Sequence, residues 1–171
     1  MKKYINRLRR VSAALALIAG FVSASALEVK VDQPGSLEKA VGDQVSATTL
    51  KVNGPVDARD LYFIGRSMTA LTELDLGEAE IAEYIGKPLE GAPVHSASCF
   101  PTAVFGGLGL DRIVLPSKGD LVIGPGAFAG TRFSELVLPE NIIRIGDGAF
   151  AGCGELKSVK VPKCILGVNI F

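Results

Sequence analysis

A repeat of 23 residues constrains the fold of this chain more than any other feature of the sequence. Three segments, 110–116, 133–139 and 156–162, have apolar residues at their first, fourth and sixth places and proline at the seventh. Because side chains alternate along a strand, the fourth and sixth places share one face, and stacked units join these faces into one core. The spacing therefore predicts a solenoid of short parallel strands with one repeat per turn of the chain.

A glycine-rich motif alternates with these strands. Gly-Pro-Gly-Ala-Phe-Ala-Gly at 124–130 recurs 22 residues later as Gly-Asp-Gly-Ala-Phe-Ala-Gly, and residues 104–107 look like a degenerate earlier copy. A second apolar stretch, 121–123 or 142–145, separates each proline from the next glycines. Glycine permits tight reversals of the chain. We therefore expect each unit to contain two strands and a glycine turn, with the phenylalanine filling the wall opposite the proline-ended strand.

Weaker copies of the strand extend the repeat toward the N-terminus. Residues 71–77 match it with glycine in place of proline, and residues 50–54 match its second half. The step from Leu74 to Ile113 is 39 residues, which is 16 more than the period. The excess predicts a protruding loop inserted at about 78–104.

The residues before the repeats have a different pattern. Residues 27–31 alternate like a strand, Ser36 is a candidate N-cap for a short helix that ends at Gly42, and 57–68 read as an amphipathic helix. A solenoid needs an end piece that covers its core. We therefore predict a small α/β N-terminal cap at 27–69 and repeats at 70–171.

Residues 1–26 have the features of a signal peptide. A basic leader precedes an apolar run at 11–22, and Ala24 and Ala26 fit the small-residue rule for cleavage after Ala26. A membrane anchor is the alternative, but the run is shorter than the ~20 residues of a span. No cysteine directly follows the run, which argues against a lipoprotein anchor at this end.

The charge of the exported part differs from that of the whole chain. The chain has 18 Lys and Arg and 18 Asp and Glu, and the leader holds five of the basic residues and no acidic one. Residues 27–171 therefore carry 18 − 5 = 13 basic against 18 acidic residues, a net charge of −5. Such a balance argues against nucleic acids and anionic membranes as partners, because both attract basic surfaces.

The cysteines do not indicate a disulfide framework. Cys99, Cys153 and Cys164 are few and widely spaced, and an odd number leaves at least one thiol free or paired between chains. We expect them to be mostly buried small apolar residues.

The repeats resemble those of the BspA-like leucine-rich repeat family of exported bacterial surface proteins. The resemblance rests on Gly-Ala-Phe-Ala-Gly and on GDGAFAGCGELKSVKVP at 146–162, and covers about 104–165. Residues 50–77 are similar to the opening region of many Bacteroidetes members. The resemblance implies a right-handed leucine-rich-repeat coil, display at the cell surface or in the medium, and adhesion or other protein contacts. The periplasm stays open as a location, and the family supplies no catalytic residues to carry over.

The chain stops where the next glycine motif is due, whereas members of this family usually have more repeats and a C-terminal cap or domain. Two explanations stay open: the chain is a truncated product, or a partner covers its last turn. An uncovered last turn is expected to expose the apolar residues Ile165, Val168, Ile170 and Phe171.

Patterns that indicate chemistry are weak. The glycine clusters lack the Lys and Ser/Thr of a phosphate-binding loop and recur with the repeat, which is typical of a structural turn. His95 and Cys99 have the spacing of two metal ligands, but a zinc site needs three or four, so an exposed loop histidine is favoured. The acidic residues Glu73, Asp75, Glu78, Glu80 and Glu83 could serve a glycosidase or a calcium site, and a solvated surface is favoured. The sequence predicts no cofactor and no metal.

A candidate binding face follows from strand geometry. The third and fifth places of each strand point away from the core, and they hold Glu73, Asp75, Arg112, Val114, Glu135, Val137, Ser158 and Lys160. We hypothesise a non-catalytic, exported module that binds a protein through this face, with a glycan also open as ligand. A carbohydrate-active or calcium-dependent surface enzyme that uses the acidic residues, and a truncated relative without function, are the alternatives.

Overall fold

The computed structural model describes residues 26–171, so the predicted signal peptide, apart from Ala26, lies outside the described residues. Along this part of the chain the helices and strands are β1 (Ala26–Lys30), α1 (Leu37–Val41), β2 (Thr49–Val56), α2 (Ala58–Ser67), β3 (Glu73–Asp75), β4 (Ala79–Ile81), β5 (Tyr84–Leu89), β6 (Ala92–His95), β7 (Cys99–Phe100), β8 (Arg112–Val114), β9 (Leu121–Ile123), β10 (Glu135–Val137), β11 (Ile142–Ile145), β12 (Ser158–Lys160) and β13 (Ile165–Leu166). None of the helices in this part is long and apolar enough to cross a membrane.

One row of parallel strands contains the proline-ended segments of the repeats. β1, β2, β3 and β8 form a sheet in that order, and β10 pairs with β12. Leu74 is in register with both Leu50 and Ile113, and Leu136 with Val159, so equivalent places of the repeats are aligned. We call these six strands the front row. β8 and β10 are adjacent but are not paired as a ladder, which leaves a seam within the row.

A second row contains the other strand of each unit. β7, β9, β11 and β13 form a parallel sheet, and β4 pairs with the second half of β2. The amide of Ser98 donates to the carbonyl of Ile81 at 2.8 Å, which connects β4 to the segment that leads into β7. We call β4, β7, β9, β11 and β13 the side row. From β8 onward, each unit therefore adds one strand to each row.

The glycine turns form the remaining wall, and phenylalanines from these turns and from neighbouring segments form a buried column. Equivalent turns are joined by backbone hydrogen bonds, such as that from the Phe128 amide to the carbonyl of Ala149 at 2.8 Å. Adjacent rings lie 5.4–6.1 Å apart between centroids. This phenylalanine column consists of Phe100, Phe105, Phe128, Phe133 and Phe150. The predicted burial of the repeated phenylalanine is confirmed.

The first glycine of each turn is required by the close approach of neighbouring units. A Cβ on Gly124 would lie 2.5 Å from the carbonyl oxygen of Phe100, and a Cβ on Gly146 would lie 2.6 Å from the nitrogen of Pro125. Gly167 is equally close to the preceding turn. Because these neighbours are backbone atoms, no side-chain rearrangement can make room for a methyl group.

We expect Gly146→Ala to lower the free energy of unfolding by about 2 kcal/mol, since the added methyl group overpacks two turns. Gly154→Ala is the matched control, because a Cβ at Gly154 meets no atom within 4 Å. The measurement is the urea midpoint of both variants against the wild type. Equal losses in the two variants would contradict the close-approach explanation.

The first helix is held by a carboxylate from the second. The prediction that the Ser36 side chain caps α1 is wrong, because its hydroxyl donates to the carbonyl of Gln33 at 2.7 Å. Asp60 in α2 instead accepts from the amides of Leu37 at 2.9 Å and Gly35 at 2.6 Å. Asp60 also accepts from the amide of Asp57 at 3.0 Å, which completes a capping box at the start of α2. One buried side chain thus joins both helices.

The predicted insertion contains an antiparallel hairpin. β5 and β6 are joined by the two-residue turn Glu90–Gly91, in which both residues have positive φ (48° and 81°). This backbone is that of a type I′ hairpin turn. Arg66 of α2 forms an ion pair with Glu90 and lies over the ring of Tyr62. The hairpin therefore contacts α2, and its two ends continue into adjacent strands of the side row.

Candidate binding surface

All eight residues of the candidate face lie on the outward side of the front row. Seven of them are exposed and Asp75 is half-buried. Val137 is 74% exposed, which is high for a valine in a strand, and Val114 is 37% exposed. The alternate residues point inward, and Leu74 and Leu136 are buried. We call the outward set of eight residues, Glu73, Asp75, Arg112, Val114, Glu135, Val137, Ser158 and Lys160, the front face.

The front face is ordered by strand register into two columns. The third places align Glu73 with Arg112 on one side of the seam, and Glu135 with Ser158 on the other. The fifth places form the second column: Asp75 is in register with Val114 and Val137 with Lys160, and the 23-residue period puts Val114 and Val137 at equivalent places on the two sides of the seam. An aspartate therefore lies at one end of the second column and a lysine at the other, and two valines lie beside the seam.

The charged side chains of the front face make few ion pairs within the chain. Lys160 forms an ion pair with Glu140 at 3.2 Å, and both side chains are more than 70% exposed, so the pair contributes little to stability. Asp75 accepts a hydrogen bond from the amide of Gly77 at 2.9 Å. Among residues 26–171, Arg112 and Glu135 have no oppositely charged atom within 4.0 Å. Both are free to contact a partner.

Two further strands extend this surface beyond the predicted residues. β1 and β2 place Glu28 and Lys51 in register with Asp75, and the Lys51 Nζ lies 3.8 Å from Glu28 Oε1. The alternation of residues 27–31 was visible in the sequence. Alternation alone does not show that β1 belongs to the same row, but Leu27 and its register partner Leu50 are 23 residues apart, which is one period of the repeat.

His95 and Cys99 have packing roles. His95 is half-buried in β6, contrary to the expected exposed loop histidine, and its ring meets the edge of Tyr62 at 5.8 Å. Cys99 is half-buried, its Sγ lies 3.5 Å from the carbonyl oxygen of Phe100, and burial raises the pKa of its thiol. Within residues 26–171 there is no group of three His, Cys, Asp or Glu that could hold a metal ion. All three cysteines are half-buried rather than buried, and they are free thiols.

Of the five acidic residues, only two lie on the front face. Glu73 and Asp75 belong to it, whereas Glu78, Glu80 and Glu83 are exposed on the segment that follows β3. They are spread over two strands and their connections. The arrangement therefore adds negative charge to the surface of the chain.

An open groove of about 610 Å³ lies between the hairpin and the side row, and no sequence pattern predicts it. Its lining includes Tyr62, Glu90, His95, Arg144 and Asp147. The hairpin comes just before β7 in the chain, and β9 lies next to β7 in the side row. Residues of the hairpin, β7 and β9 therefore line the same groove. Only the three-dimensional path of the chain brings these residues together.

The last described turn has apolar groups on its surface. Ile165 is 68% exposed, Val168 is 65% exposed and Phe171 is 49% exposed, as expected for this turn, whereas Ile170 is half-buried. Phe171 stacks on Phe150 at 5.8 Å between ring centroids, so it extends the phenylalanine column by one ring.

Comparisons with known proteins agree with the repeat pattern. A family model described as a BspA type leucine rich repeat region (6 copies) matches residues 100–170, which span β7 to β13 and the turns between them. A search of curated proteins finds no match. The chain therefore carries a BspA-type leucine-rich repeat region at residues 100–170.

Proposed function

We propose that this chain is an exported, non-catalytic repeat protein that binds another protein through the front face, as an adhesion-type module at the cell surface or outside the cell. The observation that carries the proposal is the front face itself. It presents eight outward side chains in two aligned columns. Its charged groups make few ion pairs within the chain, and two exposed valines lie at the seam. Repeat proteins use such extended surfaces for binding without a deep pocket.

In this proposal the chain is a right-handed solenoid over residues 70–171, with residues 27–69 as its N-terminal cap. Support comes from the core, because Val29, Leu37, Leu61 and Ile64 are buried in the same cluster as the repeat residues. Support for export comes from residues 1–26, whose basic, apolar and small-residue segments have the order of a signal peptide.

The test is binding of the chain, purified after expression from its full-length sequence, to immobilised extracellular and bacterial surface proteins, with glycans as a parallel panel. We expect Arg112→Glu and Glu135→Arg each to weaken binding to a protein hit by at least about tenfold, because each reverses a charge at the centre of the face. Lys39→Glu, an exposed charge reversal on α1, is the matched control and should bind normally. Equal binding by all four proteins would place the contact elsewhere, and binding to glycans alone would contradict a protein partner.

A further inference from the structure

The front face is complementary to itself. We propose that two copies of this chain pack front face to front face around a two-fold axis that runs parallel to the strands along the seam between β8 and β10. The inference rests on the proposed function, since it uses the same face and identifies its partner as a second copy of the chain.

The symmetry follows from the order of strands in the front row. An axis along the seam, lying between the two sheets, keeps the strands of both copies parallel. It places β8 of one copy over β10 of the other, and β3 over β12. Equivalent places of the repeat stay level, because rotation about an axis parallel to the strands does not move them along the strands.

Each facing pair is then chemically matched. Arg112 faces Glu135 of the second copy, and Val114 faces Val137 of the second copy. Farther from the axis, Asp75 faces the second copy's Lys160. Each contact occurs twice, so the dimer has four ion pairs around a central group of four valines. In the free chain, these valines are exposed and Arg112 and Glu135 are without ion-pair partners among residues 26–171.

The other face-to-face orientation lacks this match. A two-fold axis perpendicular to the strands would reverse the strand direction and place each strand over its own copy. Arg112 would then face Val114 and Glu73 would face Asp75. An unpaired charge against an apolar side chain and two carboxylates facing each other both disfavour contact. The pattern of the face therefore selects the parallel arrangement.

The size of the contact predicts a weak dimer. Four strands overlap in each copy, and at a strand spacing of ~4.8 Å they cover roughly 20 Å by 10 Å. Stable interfaces bury about 800 Å² per partner, which is well above what this overlap provides. Association should therefore be reversible, visible only at high protein concentration, and reduced by salt because exposed ion pairs are screened.

Charge reversal and mixing test the proposal. Sedimentation equilibrium of the purified chain at concentrations up to about 1 mM should show a monomer–dimer equilibrium. R112E and E135R should each weaken it at least about tenfold, because like charges then face each other twice. An equimolar mixture of R112E and E135R should dimerise about as well as the wild type, because opposite charges face each other again at both positions. L166E, on the exposed last turn, is the control and should leave the equilibrium unchanged.

Each outcome has a definite meaning. A wild type that stays monomeric, or a mixture that associates no better than its components, overturns the proposal. Association that L166E abolishes and R112E does not change would place the contact at the last turn and also overturns it. A monomeric wild type whose binding to another protein is lost in R112E would leave the proposed function standing, so the two failures are distinguishable.

Discussion

Replacing Phe128 with alanine is expected to lower the free energy of unfolding by about 4 kcal/mol, since the loss of a buried aromatic ring leaves a cavity. Phe128 is fully buried in the middle of the phenylalanine column. Its centroid lies within 5.4–6.1 Å of those of Phe100, Phe105, Phe133 and Phe150. The substitution therefore removes contacts to the turns on both sides, and a neighbouring ring cannot fill the space without leaving its own turn.

The measurement is chemical unfolding followed by circular dichroism. Phe171→Ala is the matched control, because Phe171 stacks on one ring of the column and is 49% exposed. We expect its loss to be about 1 kcal/mol, in proportion to the smaller buried area. Similar losses in the two variants would contradict a continuous column centred on Phe128. If Phe128→Ala does not fold at all, Phe128→Leu takes its place, and we expect it to fold with reduced stability.

Replacing Asp60 with alanine is expected to have the second largest effect, a loss of about 3 kcal/mol, because buried donors without acceptors are costly. Its carboxylate accepts from the amides of Gly35, Leu37 and Asp57. All three donors lose their acceptor at once, and two of them lie at the start of α1. The N-terminal segment should therefore loosen first, which amide hydrogen exchange at Leu37 would show.

The pH dependence of stability provides a second test of the Asp60 carboxylate. Burial raises the pKa of Asp60 above its usual value near 3.8, against the opposing effect of its three backbone hydrogen bonds. A carboxyl group with a raised pKa in the folded state contributes most below its unfolded pKa, and this contribution is lost as the pH rises through the folded pKa. The stability difference between wild type and Asp60→Asn should therefore shrink as the pH rises from below 3.8. A difference that grows with pH would contradict the assignment.

The repeat was predictable because its signal is local and periodic. Alternation within each strand and the spacing of the prolines placed Leu74 and Ile113 at equivalent positions, and the two are in register across an insertion. The same alternation identified the outward residues of the front face. These inferences needed only the pleat of a strand and a constant number of residues per turn.

Features that depend on distant partners were not predictable. Ser36 has the side chain of an N-cap, but α1 is held by Asp60, which is 23 residues from Leu37 in sequence. The hairpin was expected as a loop, because Glu-Gly is a weak turn signal compared with Asn-Gly or Asp-Gly. The seam between β8 and β10 and the groove beside the hairpin depend on how strands pair, and no periodic pattern in the sequence reports that.

The route by which the hairpin joins the repeats makes it an attachment point for foreign sequence. Its two ends continue into neighbouring strands of the side row, so the tip at Glu90–Gly91 can be lengthened without shifting any later unit. The thermodynamic penalty of such a graft is mainly loop-closure entropy, which grows by only about 0.6 kcal/mol for each doubling of length. Natural variation in length and engineered peptide display should both concentrate at this tip, while the glycine turns tolerate neither.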